Sequence, residues 1–224
     1  MNLEYLAMLA IPNARSISYL NELIKRECLP SFVCLLKPDS MTPGQKSFEE
    51  NAVFVSILNE NRIEFETFDT MNINDPQIVD CLKKRKENII IYSGPGGALL
   101  KEDLLSIGKE YVHVHPGKLP EFRGSTTIYY HVLSGVKPVA TAIFLRSAID
   151  TGPILKEKEF DFPINEDIDY EYDPRIRAEV LGDLIEEYSK KGSFGTKEQS
   201  KSNGETYYIM HPMLRHIARL SFEK

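Results

Sequence analysis

The chain has 224 residues, of which 42% are hydrophobic, and carries a formal net charge of −6 at pH 7. This length and composition predict one main domain with a sizeable core, and the acidic balance argues against a nucleic-acid-binding surface. Because there is no apolar run of the roughly 20 residues needed to cross a bilayer and no signal-peptide core, we expect a cytoplasmic protein without a membrane partner. The three cysteines, Cys28, Cys34 and Cys81, lack metal-site spacing and are expected to be buried thiols in a reducing compartment.

Apolar runs and amphipathic stretches alternate along the first half of the chain. Strand-length runs at 3–10, 31–36, 63–68 and 88–92 alternate with helical patterns at 14–28, 42–61 and 75–86. This alternation predicts an α/β fold with a doubly wound, mostly parallel, Rossmann-like sheet and helices on both faces. The helix at 42–61 is expected to bury Phe48, Ala52, Val55 and Leu58.

The first turn, at residues 11–14, lacks a Gly-x-Gly-x-x-Gly sequence, which disfavours a dinucleotide site. Arg15 is the feature at this turn that can meet an anion such as a phosphate. A second turn follows the strand at 88–92 and carries Ser93, Gly94, Pro95, Gly96 and Gly97. Its glycines let backbone amides approach a flat ring closely, and a helix is expected next, at 99–107.

The stretch 111–124 organises the prediction of an active site. Strand alternation over 111–115 places His113 and His115 on one face, and Pro116 and Gly117 end the strand. His115 therefore stands at the carboxyl end of a strand, where open α/β sheets place their ligand crevice. We expect a catalytic histidine there.

A loop, a helix and a second turn complete this region. The loop contains Lys118, Leu119, Pro120, Arg123 and Gly124, and a helix is expected at 126–134. Strands are expected at 139–145 and 154–162, the second as an edge or antiparallel strand. The turn between them carries Ile149, Asp150, Thr151 and Gly152, where the aspartate can orient and charge-stabilise an imidazole.

Three motifs in this order resemble those of the formyltetrahydrofolate-dependent formyltransferases. They are a His-Pro strand end at His115, a Leu-Pro-x-aromatic-basic-Gly loop ending at Gly124, and an Asp-Thr-Gly turn at Asp150. The resemblance covers about residues 3–160 and is closest in layout to the sugar N-formyltransferases. One position departs from the family pattern, because His113 stands where the family has asparagine.

The resemblance implies a site and a co-substrate. His113, His115 and Asp150 would be the catalytic residues, with the His113 imidazole in the oxyanion-donor place of the asparagine amide. The co-substrate would be N10-formyltetrahydrofolate, with no metal. Its pocket would be formed by Ser93, Gly94, Pro95, Gly96, Gly97, Ile149, Thr151 and Gly152. The acceptor would meet Lys118, Leu119, Pro120, Arg123, Gly124 and Arg15.

The acceptor is inferred by elimination. Acidity and the lack of a basic carboxy-terminal domain disfavour transfer RNA. A short extension after residue 165 resembles the arrangement in enzymes that formylate nucleotide-linked amino sugars for surface polysaccharides. Glycinamide ribonucleotide is the next candidate, although the family's glycine-rich first turn for that substrate is replaced by Ile-Pro-Asn-Ala at 11–14.

Three alternatives remain open at this stage. The first is a non-catalytic relative that binds folate or a nucleotide, a hypothesis that His113 motivates. The second is a hydrolase that splits formyltetrahydrofolate with the same histidine and aspartate. The third is a zinc site formed by His113, His115 and Asp150.

The catalytic domain is expected to span residues 1–165. Residues 166–224 are expected to form an extension with a helix at 174–191, a polar loop at 193–204 and a strand-like segment at 205–212. We expect this extension to supply an acceptor site or the contact of a homodimer.

Overall fold

The computed structural model describes residues 2–38, 43–200 and 204–221. It forms two compact units, Met1–His113 and Val114–Lys224, and the boundary falls inside a strand. In the first unit, five parallel strands form one sheet, in the order Glu64–Asp69, Leu29–Lys37, Asn2–Ala10, Ile89–Ser93 and Glu110–His115. The mostly parallel α/β sheet predicted from the sequence is therefore confirmed.

The first unit alternates strands and helices, as expected. Its strands are β1 (Asn2–Ala10), β2 (Leu29–Lys37), β3 (Glu64–Asp69), β4 (Ile89–Ser93) and the larger part of β5 (Glu110–His115). Its helices are α1 (Ala14–Lys25), α2 (Lys46–Glu60), α3 (Pro76–Lys84) and α4 (Glu102–Leu105). β1 pairs in parallel with β2 and β4, and residues 6–10 of β1 and all five residues of β4 are buried, as in the centre of a parallel sheet. The Asn13 side chain caps α1 by accepting the Ser16 N–H at 2.9 Å.

The prediction for α2 was partly wrong. Leu58 is buried as expected, but Ala52 and Phe48 are exposed, and Phe54 is buried in their place. Phe54 and Leu58 are four residues apart and share one helix face, so the buried stripe is rotated from the predicted one. Thr42, where this helix was expected to begin, lies outside the described residues.

The helix expected at 99–107 is reduced to the four residues of α4. The Asn74 side chain donates to the Leu99 carbonyl at 3.0 Å and accepts the Lys101 N–H at 2.8 Å. The Leu99 carbonyl and the Lys101 N–H therefore bond to a side chain and not within a helix. Gly108, with φ 78°, follows soon after its end.

The second unit contains a short parallel pair of strands and an antiparallel pair. Its strands are β6 (Phe122–Gly124), β7 (Val139–Phe144), β8 (Ile154–Glu159) and β9 (Glu205–Tyr207). Its helices are α5 (Thr127–Ser134), α6 (Asp173–Lys191) and α7 (Pro212–Leu220), with a π-helical turn at Ile168–Tyr172. β7 and β8 are antiparallel, as expected for the second of them, whereas β6 pairs in parallel with β9.

The carboxy-terminal segment differs from its prediction. The strand-like segment expected at 205–212 is a strand only over β9, and it leads into α7, which was not predicted. His211 caps this helix by accepting the Met213 N–H at 3.2 Å, and Pro212 occupies the first turn. Within the described ranges, no helix is long and apolar enough to cross a membrane.

Cys28, Cys34 and Cys81 form no disulfide, and Cys28 and Cys34 are buried while Cys81 is partly exposed. The expectation of burial is therefore confirmed for two of the three.

Candidate active site

The carboxyl end of β5 carries both histidines of the predicted site. Their positions differ by two along the strand, so their side chains project from the same face. His115 is only 1% exposed, whereas His113 is partly exposed. In the first unit, the His113 ring lies edge-on to Tyr92, with ring centroids 5.7 Å apart. Of the two imidazoles, His113 is therefore the one that solvent reaches.

His115 is held between two oxygen atoms. Its Nε2 lies 2.6 Å from the Phe122 carbonyl oxygen, and its Nδ1 lies 3.3 Å from Asp150 Oδ2. A carbonyl only accepts hydrogen bonds, so Nε2 must carry a hydrogen. In a neutral ring with this hydrogen on Nε2, the lone pair of Nδ1 faces the Asp150 carboxylate. The contact between Nδ1 and Oδ2 is therefore favourable only when a proton lies between these two atoms.

Two effects act on the pKa of His115 in opposite directions. Burial lowers the pKa of His115, and the Asp150 carboxylate beside it acts in the opposite direction with a smaller effect. A buried imidazole and carboxylate at this distance form a pair that can take up and release one proton. This is the arrangement used for general acid and base catalysis.

Asp150 is placed by an unusual backbone conformation. Its φ is 50°, in the left-handed region, which aspartate and asparagine tolerate better than most residues. Its Oδ2 also accepts the Gly124 N–H at 2.9 Å, so the carboxylate is fixed from two sides. Gly152 closes the turn, because a Cβ there would lie 1.6 Å from the Phe144 carbonyl oxygen. The Asp-x-Gly spacing is thus a requirement of the backbone.

The loop after β5 wraps closely around His115. A Cβ on Gly117 would lie 2.6 Å from both His115 Nε2 and the Phe122 carbonyl oxygen. Gly124 has φ 100° and pairs with Tyr207 of β9, whose carbonyl oxygen would be 2.1 Å from a Cβ. Only glycine allows these two approaches.

Three of the predicted acceptor residues lie on this loop. Leu119 and Pro120 are buried, and Lys118 is exposed and 3.8 Å from Glu121. Their predicted contacts with an acceptor remain predictions.

Arg123 is linked to the aspartate turn through a residue that sequence analysis missed. Its Nη2 donates to Gln199 Oε1 at 2.8 Å. The Gln199 amide nitrogen donates in turn to the backbone carbonyls of Asp150 and Gly152, both at 2.8 Å. Gln199 lies in the polar segment expected to be a loop, and no motif marks it. Only its position in the fold identifies it.

Stacked rings support the Phe122 carbonyl. Phe122 stacks on His131 with centroids 3.8 Å apart and on Tyr207 at 5.3 Å. His131 is fully buried, its Nε2 accepts the Lys118 N–H at 3.3 Å, and burial lowers its pKa to about 4. His131 is therefore a packing residue beside Phe122.

The glycine loop of the first unit is braced by Arg15. Its Nε donates to Ser93 Oγ at 2.9 Å, and its guanidinium also donates to the Gly94 carbonyl. Ser93 is buried, while Gly96 and Gly97 are exposed with open space around them. Arg15 thus has a structural task here, and the exposed half of the loop is the part available to a ligand.

The remaining predicted co-substrate residues lie on the aspartate turn. Ile149 and Thr151 are exposed, and Thr151 Oγ1 donates to the Ala148 carbonyl at 3.1 Å. Neither side chain is buried in the core, so both stay available to a ligand.

A metal ion has one possible ligand set in the part of the chain that the structure describes. His115 and Asp150 of the second unit each offer one ligand atom, 3.3 Å apart, and His113 stands two residues before His115 on the same strand. Two imidazoles and a carboxylate would suit zinc. The Nε2 of His115 already bonds to the Phe122 carbonyl, so this ring would have to bind a metal through Nδ1.

Comparison with known proteins assigns the chain to a family. A family model described as formyl transferase matches residues 19–179. The methionyl-tRNA formyltransferase of Finegoldia magna is 27% identical over 150 residues, which are 65% of this chain and 48% of that protein. The chain spans half or less of the length of the curated relatives it matches.

Solved structures share the fold at low identity. The phosphoribosylglycinamide formyltransferase of Bacillus halodurans has a TM-score of 0.62 at 18% identity, covering 84% of this chain and 96% of that one. WlaRD, a sugar 3N-formyltransferase determined in the presence of dTDP and 5-N-formyl-THF, has a TM-score of 0.58 at 17% identity. That match covers 91% of this chain and 69% of that one.

Proposed function

Because the chain belongs to the formyl transferase family, we propose that it transfers a formyl group from N10-formyltetrahydrofolate to a primary amine of a small acceptor. The observation that carries this proposal is the buried His115 and Asp150 pair at the carboxyl end of β5. The reaction requires that a proton leave the attacking amine and that another reach N10 of the folate. A histidine and an aspartate that share one proton are suited to both transfers.

In the proposed reaction, the amine nitrogen attacks the formyl carbon, and the bond between that carbon and N10 then breaks. The tetrahedral intermediate carries negative charge on the formyl oxygen. His113 is the partly exposed imidazole on the same strand face, and an N–H from its ring would stabilise that charge. The products are a formamide and tetrahydrofolate.

His115 would take the amine proton with the help of Asp150. The amine loses its proton as it adds to the formyl group, and the leaving N10 gains one as it departs. A pair that binds a proton in the first step and donates it in the second leaves the enzyme unchanged. His115 Nε2 carries a hydrogen bonded to the Phe122 carbonyl, so it can accept the amine proton only after this bond breaks and the ring hydrogen lies on Nδ1, which faces Asp150.

For the acceptor we propose a nucleotide-linked amino sugar. The net charge of −6 disfavours a transfer-RNA acceptor, because a polyanion is repelled by an acidic protein. The turn before α1 is capped by the Asn13 side chain and has no glycine, so it lacks the features expected for a ribonucleotide phosphate. Glycinamide ribonucleotide is the second candidate.

One observation favours a second function, that of a folate-binding relative without transfer activity. His115 is 1% exposed, and its Nε2 is occupied by a backbone carbonyl. If this bond persists when substrate binds, only His113 meets the formyl group, and proton transfer has no direct route.

The experiment that separates these functions has two stages. Binding of 5-formyltetrahydrofolate is measured first by tyrosine fluorescence, which suits a chain with 11 tyrosines and no tryptophan. The protein is then incubated with N10-formyltetrahydrofolate and a panel of nucleotide amino sugars, glycinamide ribonucleotide and no acceptor. Tetrahydrofolate release and acceptor mass are followed.

Acceptor-dependent release with a formylated sugar supports the proposal. Release that no acceptor accelerates indicates a hydrolase. Saturable binding without release indicates the binding relative, and the absence of binding refutes the folate assignment.

A further inference from the structure

Two of the cysteines lie side by side in the first unit. Cys34 is fully buried in the middle of β2, and Cys81 is partly exposed on α3. Their thiols hydrogen bond to each other, and this bond, together with burial, raises the pKa of the Cys34 thiol. The proposed formyl transfer uses neither thiol, so the pair is available for a different chemistry.

A carboxylate stands beside the two thiols. Glu66 is the register partner of Cys34 on the neighbouring strand β3, so both side chains project from the same face of the sheet. Cys81 reaches them from α3, and its Sγ donates to Glu66 Oε2 at 3.6 Å. Because each thiol has only one hydrogen, the hydrogen between the two sulfurs belongs to Cys34. The contacts therefore run from a buried thiol, through a partly exposed thiol, to an exposed carboxylate.

We propose that Cys81 is a site of reversible oxidation, where a hydroperoxide converts Cys81 and Cys34 into a disulfide. A cysteine that undergoes this reaction is accessible to solvent and has a second thiol next to it. Cys81 meets the first requirement because it is partly exposed. Cys34 meets the second, because its sulfur already touches that of Cys81. The disulfide would tie α3 to the central sheet.

The reaction balances without any further co-reactant. As the Cys81 sulfur attacks one peroxide oxygen, Glu66 accepts its proton, the O–O bond breaks, and the departing hydroxide becomes water. This step leaves a sulfenic acid on Cys81. The Cys34 sulfur then attacks the Cys81 sulfur, and the sulfenic oxygen leaves as water with the Cys34 proton. The two thiols are oxidised to one disulfide, and the peroxide is reduced to water.

The fold excludes Cys28 from this reaction. Cys28 precedes β2, and the extended chain of the strand places it roughly 20 Å from Cys34. A disulfide requires Cα atoms no more than about 7 Å apart. In the unfolded chain the preference is reversed, because the short loop between Cys28 and Cys34 closes with less loss of entropy than the longer loop to Cys81. The identity of the linked pair therefore reports on the folded structure.

The test treats the reduced, folded 224-residue chain with hydrogen peroxide and stops the reaction with catalase. The remaining thiols are alkylated with iodoacetamide in urea, and peptides are analysed by mass spectrometry. Cys28 should be alkylated. Cys34 and Cys81 should appear in one linked pair of peptides, lighter by two hydrogen atoms than the separate peptides. Dithiothreitol added before alkylation should restore all three thiols.

Two variants and one treatment serve as controls. Cys28→Ser removes the other buried cysteine and should form the disulfide at the wild-type rate. Cys34→Ser removes the second thiol, so Cys81 should accumulate sulfinic acid, which dithiothreitol does not reverse. Circular dichroism checks that both variants fold. The wild-type chain oxidised in urea should link mainly Cys28 to Cys34.

A wild-type chain that keeps three alkylatable thiols, at peroxide concentrations that oxidise its exposed methionines, would overturn the inference. A folded chain whose disulfide includes Cys28 would do the same. So would a wild-type Cys81 that accumulates as much sulfinic acid as it does in Cys34→Ser. This inference does not depend on the proposed function, because peptide masses report on the thiols whether or not a formyl group is transferred.

Discussion

Replacing His131 with glutamine should remove a specific part of the pH dependence of folding. The ring is buried against Phe122, and burial lowers its pKa from 6.5 to about 4. Below pH 6.5 the unfolded chain binds a proton at this histidine, and the folded chain does not until about pH 4. Its contribution to stability is therefore complete above pH 6.5 and is lost as the pH falls toward 4. Between pH 8 and pH 5 the loss is about 2 kcal/mol.

Glutamine keeps an acceptor for the Lys118 N–H and does not titrate in this range. Urea unfolding at pH 8 and pH 5, followed by tyrosine fluorescence, gives the free energy of unfolding of both proteins. The wild type should lose about 2 kcal/mol more than His131→Gln between these pH values. His216→Gln, at an exposed position of α7, should keep the wild-type pH dependence. Equal losses in wild type and His131→Gln would refute the assignment of a buried, neutral imidazole.

Three further changes test the site. Asp150→Asn keeps an acceptor for Gly124 and suits the left-handed backbone, so it should lower turnover about 100-fold in a formyl transfer assay without altering the unfolding midpoint. Gln199→Ala removes the two bonds to the aspartate turn, which carries Asp150 and the expected folate residues Thr151 and Gly152, and should therefore lower kcat and weaken folate binding in a fluorescence titration. Gly152→Ala should cost about 2 kcal/mol or more in urea unfolding, whereas Gly195→Ala, with open space around it, should cost little.

Much of the first unit could be predicted from the sequence. Its strands are short apolar runs between turn residues, and β4 contains three consecutive isoleucines. Both faces of such a strand are buried, so its composition alone indicates a central position in a parallel sheet. The histidine strand and the Asp-Thr-Gly turn were also recognisable, because each needs particular residues at a fixed spacing.

The elements that were missed depend on contacts between distant residues. β6 has only three residues, and it forms because β9 lies beside it. In α7, Arg215 and Arg219 bond to the rest of the protein, and the apolar side chains are exposed. Sequence patterns predict the opposite, because they assign the apolar face of a helix to the core. Gln199 acts through bonds to backbone carbonyls, and a bond of this kind requires no partner side chain that a sequence pattern could show.

The pairing of β6 with β9 also bears on the order in which the site is assembled. β6 supplies the carbonyl that holds His115 and the N–H that holds Asp150, but its partner strand is synthesised about 80 residues later. Closing a chain segment of that length is slow compared with forming the local β5 and β7 elements. A nascent chain would thus hold both proposed catalytic side chains, His115 and Asp150, well before it could fix their geometry. Any loss of the segment around Tyr207 should abolish activity while leaving most of the fold in place.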